Sequence, residues 1–266
     1  MIEQIAHLGV VDEAEIELDR AALEIAALDH PRAELYRYVD VLEQMTDRLR
    51  ARATTALAPG EQAEQLADVL AIEFKFDGDR DTYDDPANAD LIRVIDRRRG
   101  LPVALSILYV ALARRLDWVA HALNTPGHVL VGVGERRSLL IDPFNRGAFV
   151  SREQLASLLL TSEGRLDAMA PEHVAPMGNR AVLTRLLMNQ ATRAEQEGDF
   201  RRARTVMRRI TTVAPSYTAG WWERARLERT LGEHSAARLS LTSMLETTRD
   251  PELRIHVVRA LDALAR

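Results

Sequence analysis

Apolar residues recur at helical spacing through most of the chain before residue 122. They fall at the three- to four-residue intervals that gather side chains on one face of an α-helix. Pro31 and the pair Pro59-Gly60 separate one periodic segment from the next. The pattern predicts an acidic loop at 77–90 and helices at 12–28, 32–53, 61–74, 89–98 and 102–117.

The period changes after residue 122. The segments 129–133 and 138–141 are short, apolar and β-branched, and a polar stretch that begins at Gly134 separates them. This pattern is typical of two antiparallel strands joined by a tight turn. A turn centred near residue 135 places His128 and Asp142 opposite each other, close enough for the carboxylate to orient the imidazole. The two residues would form two thirds of a catalytic triad.

Helical periodicity returns after the hairpin. Ser151 and Gln154 form a capping-box pattern that opens a further helix, and residues 161–179 have the composition of a linker. The C-terminal third then repeats itself after 34 residues, which resembles the tetratricopeptide period. The matched positions are Ala191 with Ala225, Gly198 with Gly232, and Ala203 with Ala237. Helices are predicted there at 181–197, 200–213, 217–231 and 234–247.

The composition excludes several classes of protein. Apolar residues make up 47% of the chain and charged residues 28%, which indicates a folded globular protein rather than a disordered one. No apolar run reaches the roughly 18 residues of a membrane span, and the first residues lack a secretory signal, so we expect a cytoplasmic protein. The chain has no cysteine, which excludes a disulfide, a thiolate metal site and a thiol nucleophile.

Charge is distributed unevenly along the chain. Residues 1–179 contain 19 basic and 30 acidic residues, whereas residues 180–266 contain 16 and 10. This asymmetry suggests two domains with opposite surface fields. The basic residues are not interleaved with aromatic ones in the dense patches that nucleic-acid binding normally requires, so no nucleic-acid partner is expected.

No metal or other cofactor is expected. The seven histidines show no spacing that is typical of a metal site. The segment that begins with Asp77, Asp79 and Asp81 resembles the start of a calcium loop. However, Thr82 stands where such a loop needs glycine, and Asn88 stands where it needs a bidentate glutamate.

Four motifs occur in order along the chain. They are the stretch from Phe74 to Asn88, the stretch from Arg97 to Ser106, Pro126-Gly127-His128, and Ile141-Asp142-Pro143-Phe144. Together they resemble the SirB1 family of bacterial proteins, from roughly residue 35 to the end. The resemblance implies an α+β fold: a largely helical transglutaminase-like (papain-like) domain with a small antiparallel sheet, expected at 1–165. An all-α domain of tetratricopeptide-like repeats follows, expected at 178–266.

The resemblance also identifies a nucleophile position. In the wider transglutaminase-like superfamily a Gly-x-Cys sequence leads into a helix, and a strand-borne histidine and an aspartate follow. Here Gly100-Leu101-Pro102 occupies that position. Proline suits the first position of a helix but carries no thiol, hydroxyl or amine, so the usual acyl transfer would be lost. Ser106, one helical turn on, is either a surrogate nucleophile for His128 and Asp142 or a small core residue.

The function predicted from these residues is non-catalytic. Without a nucleophile, the pair of His128 and Asp142 has three interpretations, which are a structural role, recognition of a ligand in a vestigial cleft, and residual catalysis. We predict a regulatory protein that binds a peptide or protein partner. The alternative is a hydrolase or acyltransferase that uses Ser106, and a third interpretation is a purely structural scaffold.

The predicted binding residues come from the motifs and from one arginine-rich helix face. They are Asp77, Asn88, His128, Asn145 and Arg201. We expect a peptide segment to lie between the cleft and the inner face of the repeats, where Arg185 or Arg201 would meet its carboxylates. The sequence does not predict an oligomeric state.

Overall fold

The computed structural model of this chain describes residues 2–53, 57–135, 138–163 and 174–264. By their contacts these residues form two compact units. The first, the sheet unit, runs from Glu13 to Val182. The second, the helical unit, joins the residues up to Asp12 with those from Leu183 onward. The predicted domain boundaries, 1–165 and 178–266, stay a prediction.

The described part of the sheet unit is mostly helical, as predicted. Its α-helices are α1 (Leu18–Ala27), α2 (Leu35–Arg52), α3 (Pro59–Ala67), α4 (Leu91–Arg97), α5 (Pro102–Arg114) and α6 (Arg152–Glu163). The predicted helix at 61–74 is divided, because α3 continues as a π-helical turn over Asp68–Glu73. Within the described ranges, no helix is both long enough and apolar enough to cross a membrane.

Helix α5 is the centre of the sheet unit. Every residue from Pro102 to Ala113 is buried, which agrees with a helix that is apolar on all sides. Pro102 is the first helical residue, where the missing N–H removes no hydrogen bond. The helix contacts the sheet on one side and α1, α2 and α3 elsewhere, so its residues form the main core.

A four-stranded antiparallel sheet supports the site. Its strands are β3 (Ala120–Leu123), β4 (Leu130–Val133), β5 (Leu139–Asp142) and β6 (Ala148–Phe149), paired in that order. The predicted hairpin is confirmed as β4 and β5. Pro176 bridges to Leu123 at the β3 edge, so part of the predicted linker at 161–179 lies along the sheet. Residues 164–173 of that linker are outside the described residues.

Two further strands lie outside this sheet. β1 (Asp77–Gly78) pairs in parallel with β2 (Arg99–Gly100). This pairing brings the acidic loop, predicted at 77–90, next to the residues that lead into α5. The loop therefore reaches the N-terminal end of the central helix.

The helical unit consists mainly of α-helices. Its helices are α7 (Asn179–Gln196), which begins in the sheet unit, α8 (Phe200–Val213), α9 (Thr218–Thr230), α10 (His234–Thr247) and α11 (Pro251–Ala263). The four helices predicted there are confirmed to within two residues, and α11 is additional. Gly198 and Gly232 have φ of 77° and 75° at the turns before α8 and α10. Positive φ explains why glycine recurs at these turns.

The repeated alanines lie in the interior of the helical unit. Ala191, Ala203, Ala225 and Ala237 are all buried, as predicted. We expect the Ala203→Leu variant to lose roughly 1–3 kcal/mol of unfolding free energy, because the added carbons have no space between packed helices. Urea unfolding followed by circular dichroism measures this change. Ala219→Leu, at an exposed position of α9, is the control. A loss below about 0.5 kcal/mol for Ala203→Leu would contradict the prediction.

Candidate functional site

The predicted contact between His128 and Asp142 is confirmed. Nε2 of His128 lies 2.9 Å from Oδ1 of Asp142. The two side chains are each 15% exposed, so the pair is partly shielded from water. His128 does not lie on a strand, however, since it precedes β4 by two residues.

The predicted direct opposition across the strands is therefore wrong. Val131 pairs with Ile141, and this register puts Leu130 rather than His128 opposite Asp142. The hairpin is centred one residue further along the chain than we predicted. The contact forms nevertheless, because the turn ahead of β4 brings the imidazole to the end of β5. In this turn the amide N–H of His128 donates to the carbonyl of Thr125.

Asp142 also caps the 3₁₀ helix Pro143–Asn145 that follows β5. Its Oδ1 accepts hydrogen bonds from the amide N–H groups of Phe144 (3.0 Å) and Asn145 (3.3 Å), in addition to the contact with His128. Oδ2 accepts no hydrogen bond from the described residues. The 3₁₀ helix ends at Arg146 and Gly147, which have φ of 57° and 74°. The backbone therefore fixes the carboxylate, and one of its oxygens stays open.

Phe144 is the aromatic centre of the site. Its ring meets the His128 ring edge to face at 5.9 Å and the Tyr83 ring edge to face at 5.7 Å. The guanidinium of Arg80 lies 5.0 Å from the centre of the same ring. Gly78 lies against Phe144 so closely that a Cβ at this position would stand 2.4 Å from the Phe144 carbonyl oxygen. The acidic loop is thus held against the imidazole through one phenyl ring.

Arg80 joins two of the predicted binding positions to this centre. It donates hydrogen bonds to Oδ1 of Asp77 (3.1 Å), to the carbonyl of Phe144 (2.9 Å) and to Oδ1 of Asn145 (3.2 Å). Asp77, His128 and Asn145 therefore belong to one cluster. Arg80 itself was not predicted, because its contacts depend on the 3₁₀ helix that the sequence pattern does not indicate.

Asn88 has a different position from the one predicted. It is fully buried, donates to the carbonyl of Thr82 (2.6 Å) and accepts from Nη1 of Arg97 (3.0 Å). Its amide is used inside the acidic loop and is not presented to a ligand. The predicted binding role of Asn88 is therefore corrected to a supporting one.

A buried carboxylate holds the same loop together. Asp79 is 5% exposed and accepts hydrogen bonds from the N–H and hydroxyl of Thr82 and from Nη2 of Arg97 (2.7 Å). Burial alone would raise the pKa of Asp79, but bonds from Thr82, Asn88 and Arg97 outweigh it and lower the pKa to about 2. Asp79 is therefore ionised at neutral pH. Among the described residues no group of three or more metal-binding side chains is present.

Neither candidate nucleophile position presents a reactive group. Pro102 is buried at the start of α5. Ser106 is fully buried, and its hydroxyl donates to the carbonyl of Val129 at 3.4 Å. The alternative function needs Ser106 to be open to solvent, and this condition is not met. Ser106 is a small core residue of α5 that contacts the segment leading into β4.

Comparison with known proteins defines the family. The family model described as the transglutaminase-like superfamily matches residues 36–188, which is more than half of the chain. The chain belongs to the transglutaminase-like superfamily. A UPF0162 protein of Xylella fastidiosa strain 9a5c is 28% identical to it over 92% of this chain and 91% of the relative.

Two more distant likenesses cover less or agree less well. Human F-box only protein 21 is 36% identical over 63 residues, 24% of this chain and 10% of that protein. A crystal structure of menin, described as revealing its binding site for the Mixed Lineage Leukemia (MLL) protein, covers 100% of this chain and 78% of menin. Its TM-score is 0.42 and its sequence identity 14%. That TM-score is too low to show a shared fold.

In this transglutaminase-like protein one buried residue of the site was not predicted. Tyr109 lies two turns after Pro102 in α5, and its hydroxyl has no hydrogen-bond partner among the described residues. Burial, and then the negative charges of Asp142 and Asp77, raise the pKa of Tyr109 well above its usual range. A Cβ at position 147 would stand 2.9 Å from the Tyr109 hydroxyl oxygen, so glycine is required at position 147. Tyr109 stays a neutral phenol beneath the site.

Arg201 does not belong to this cluster. It lies in α8 of the helical unit, at an exposed position. Its predicted role in meeting a partner's carboxylates stays a prediction.

Proposed function

We propose that this transglutaminase-like protein is non-catalytic and uses its site to bind a peptide or protein segment. The observation that carries the proposal is the combination of an ordered pair of His128 and Asp142 with a central helix that begins at a buried proline. In the superfamily that helix position would hold the nucleophile. A site that keeps the orienting pair and lacks the attacking atom fits recognition better than acyl transfer.

The chemistry of the remaining groups supports this proposal. A histidine and a carboxylate can relay a proton, but acyl transfer also needs an atom that attacks the carbonyl carbon. The chain has no cysteine, and the hydroxyl of Ser106 is buried and already donates a hydrogen bond. The imidazole would act here as a hydrogen-bonding group for a ligand.

Exposed groups around the pair suit a polypeptide ligand. Tyr83 is 39% exposed, and its ring meets the Phe144 ring edge to face. Asn145 is exposed, and an amide side chain can both donate to and accept from a peptide main chain. Aromatic rings beside amide and imidazole groups are typical of recognition surfaces.

We also propose that the protein is of SirB1 type and that its helical unit is tetratricopeptide-like. Glycines of positive φ and buried alanines recur after 34 residues at equivalent points of successive helix pairs. Such pairs commonly form surfaces that bind partners, which agrees with a regulatory role in the cytoplasm.

Two measurements test the proposal together. The purified protein should show no amidase or acyl-transfer activity and no labelling of Ser106 by a fluorophosphonate in mass spectrometry. Affinity capture from a lysate should recover a partner with the native protein and lose most of it with His128→Ala. His30→Ala is the matched control, since His30 forms a 2.7 Å contact with Asp90, which caps α4.

Other outcomes would contradict the proposal. Stoichiometric labelling of Ser106 would instead support the alternative of a serine hydrolase or acyltransferase. Equal loss of the partner in His128→Ala and His30→Ala would show that both variants act through stability alone. Retention of the partner in His128→Ala would remove the site from the interaction.

A further inference from the structure

A groove lies beside Asp142, between strand β6 and the N-terminal half of α6. Its volume is about 270 Å³. Phe149 and Val150 line one side, and Gln154 and Leu158 line the other. The Phe149 side chain is 46% exposed, which is unusual for a phenylalanine next to a core. The groove thus has apolar walls and one carboxylate at its end.

The groove runs along an edge of the sheet as the described strands form it. β6 is the last strand in the sheet order, with β5 on its other side. The N–H of Val150 donates to the carbonyl of Leu140 on β5 at 2.8 Å. Because neighbouring residues of a strand direct their main-chain groups to opposite sides, the N–H and C=O of Phe149 point away from β5. One donor and one acceptor of the strand therefore face the side away from β5.

Asp142 provides a charged group at the end of the groove. Its Oδ1 already accepts three hydrogen bonds, from His128, Phe144 and Asn145, whereas Oδ2 accepts none from the described residues. Asp142 is also the only charged residue among those described as lining the groove. A free carboxylate oxygen in a partly shielded position favours a cationic donor.

The sheet unit has a net negative charge, like Asp142. Residues 13–182, which make up the sheet unit, contain 28 acidic and 20 basic residues. Arg80 already donates to Asn145, Asp77 and the carbonyl of Phe144. Arg146 and Arg152 are exposed residues close to lining residues in the sequence. The sheet unit as a whole therefore has a net charge opposite to that of a basic ligand, and Asp142 is the acidic group at the groove.

We propose that this groove binds an extended peptide segment that carries an arginine or a lysine. The peptide main chain pairs with the N–H and C=O of Phe149, and one apolar side chain covers Phe149 and Leu158. The basic side chain donates to Oδ2 of Asp142. The inference rests on the proposed function, because it specifies the class of peptide that the site recognises.

A peptide titration of the full chain tests this assignment. The probes are the acetylated and amidated peptide Thr-Val-Arg-Val-Thr and the same peptide with citrulline, an uncharged isostere, in place of arginine. The chain contains five phenylalanines, so labelling with ¹⁵N-phenylalanine gives a spectrum simple enough to assign Phe149 by its loss in Phe149→Leu.

We expect the arginine peptide to shift the Phe149 amide signal and to bind about tenfold more tightly than the citrulline peptide, as for a hydrogen bond to a charged group. Asp142→Asn should abolish this preference. Phe149→Pro removes the outward N–H without removing a β5–β6 hydrogen bond, and it should weaken the binding of both peptides several-fold, as measured by isothermal titration calorimetry. A melting temperature close to that of the native chain shows that each variant is folded.

Three results would overturn the inference. The Phe149 signal could stay unmoved at millimolar peptide, or the two peptides could bind equally. The signal could also shift with protein concentration alone, which would assign the edge to a second copy of this chain. If partner capture depends on His128 but survives Phe149→Pro, the groove inference fails while the proposed function stands. If the arginine peptide binds as expected but partner capture does not depend on His128, the groove inference stands while the proposed function fails.

Discussion

The Pro102→Cys variant is expected to carry an unusually reactive thiol. A thiol at the first residue of α5 would lie at the positive end of the helix dipole, and in this superfamily it would face the site's histidine. Both influences lower a thiol pKa, whereas burial of this position opposes them. If the site has kept its geometry, iodoacetamide should alkylate the variant at about pH 6 roughly tenfold faster than free cysteine.

The native chain makes this measurement clean. It has no cysteine, so every alkylated thiol in the variant is at position 102. The double variant Pro102→Cys with His128→Ala should lose most of the enhancement, and Ala219→Cys at an exposed helix position gives the rate of an ordinary thiol. Identical pH profiles for the single and double variants would show that His128 does not act on the start of α5. The site would then not be a vestigial triad.

Replacement of Asp79 is expected to destabilise the sheet unit strongly. Asp79→Ala removes the buried acceptor for three donors of Thr82 and Arg97 and breaks the ion pair with Arg97, for which a loss of roughly 3 kcal/mol is expected. Urea unfolding at neutral pH measures it. Asp81→Asn, at an exposed position of the same loop, is the control and should change stability by less than about 0.5 kcal/mol.

The contribution of Asp79 should also depend on pH. Its pKa is about 2 in the folded chain, below the 3.8 of an unperturbed aspartate. The folded state therefore favours the ionised form, and this stabilisation is present above about pH 4 and is lost as pH falls towards 2. The difference between the native chain and Asp79→Asn should shrink by roughly 2 kcal/mol over that range. A difference that stays constant with pH would show that the Asp79 network does not shift this pKa.

Local patterns predicted the long helices and the central hairpin well. Each is set by the spacing of its own apolar residues, as in α5 and in the strands β4 and β5. The contact between His128 and Asp142 was predicted from the hairpin, although the turn before β4, rather than pairing across the strands, brings the two side chains together. Its register differs from the predicted one by two residues, since Leu130 and not His128 lies opposite Asp142, because the sequence marks where the turn begins, at Gly134, and not where it is centred.

The rest of the site depends on contacts between distant segments. β1, β2 and β6 are each two residues long and therefore have no readable period. The bonds from Arg80 to Asn145 and from Arg97 to Asp79 join residues whose spacing follows no secondary-structure rule. Asn88 was predicted to bind a ligand, but its burial with several hydrogen bonds gives it a supporting role.

The left-handed turn at Arg146 and Gly147 has a consequence for binding. Most residues other than glycine avoid this backbone conformation, so Arg146 adds local strain of about 1 kcal/mol. The same residue restricts the unfolded chain more than glycine would, which reduces the conformational entropy lost on folding. Asp142 and the strand β6 lie on either side of this turn. Their separation is therefore set before any ligand arrives, and a bound peptide would not have to order the two ends of its own binding surface.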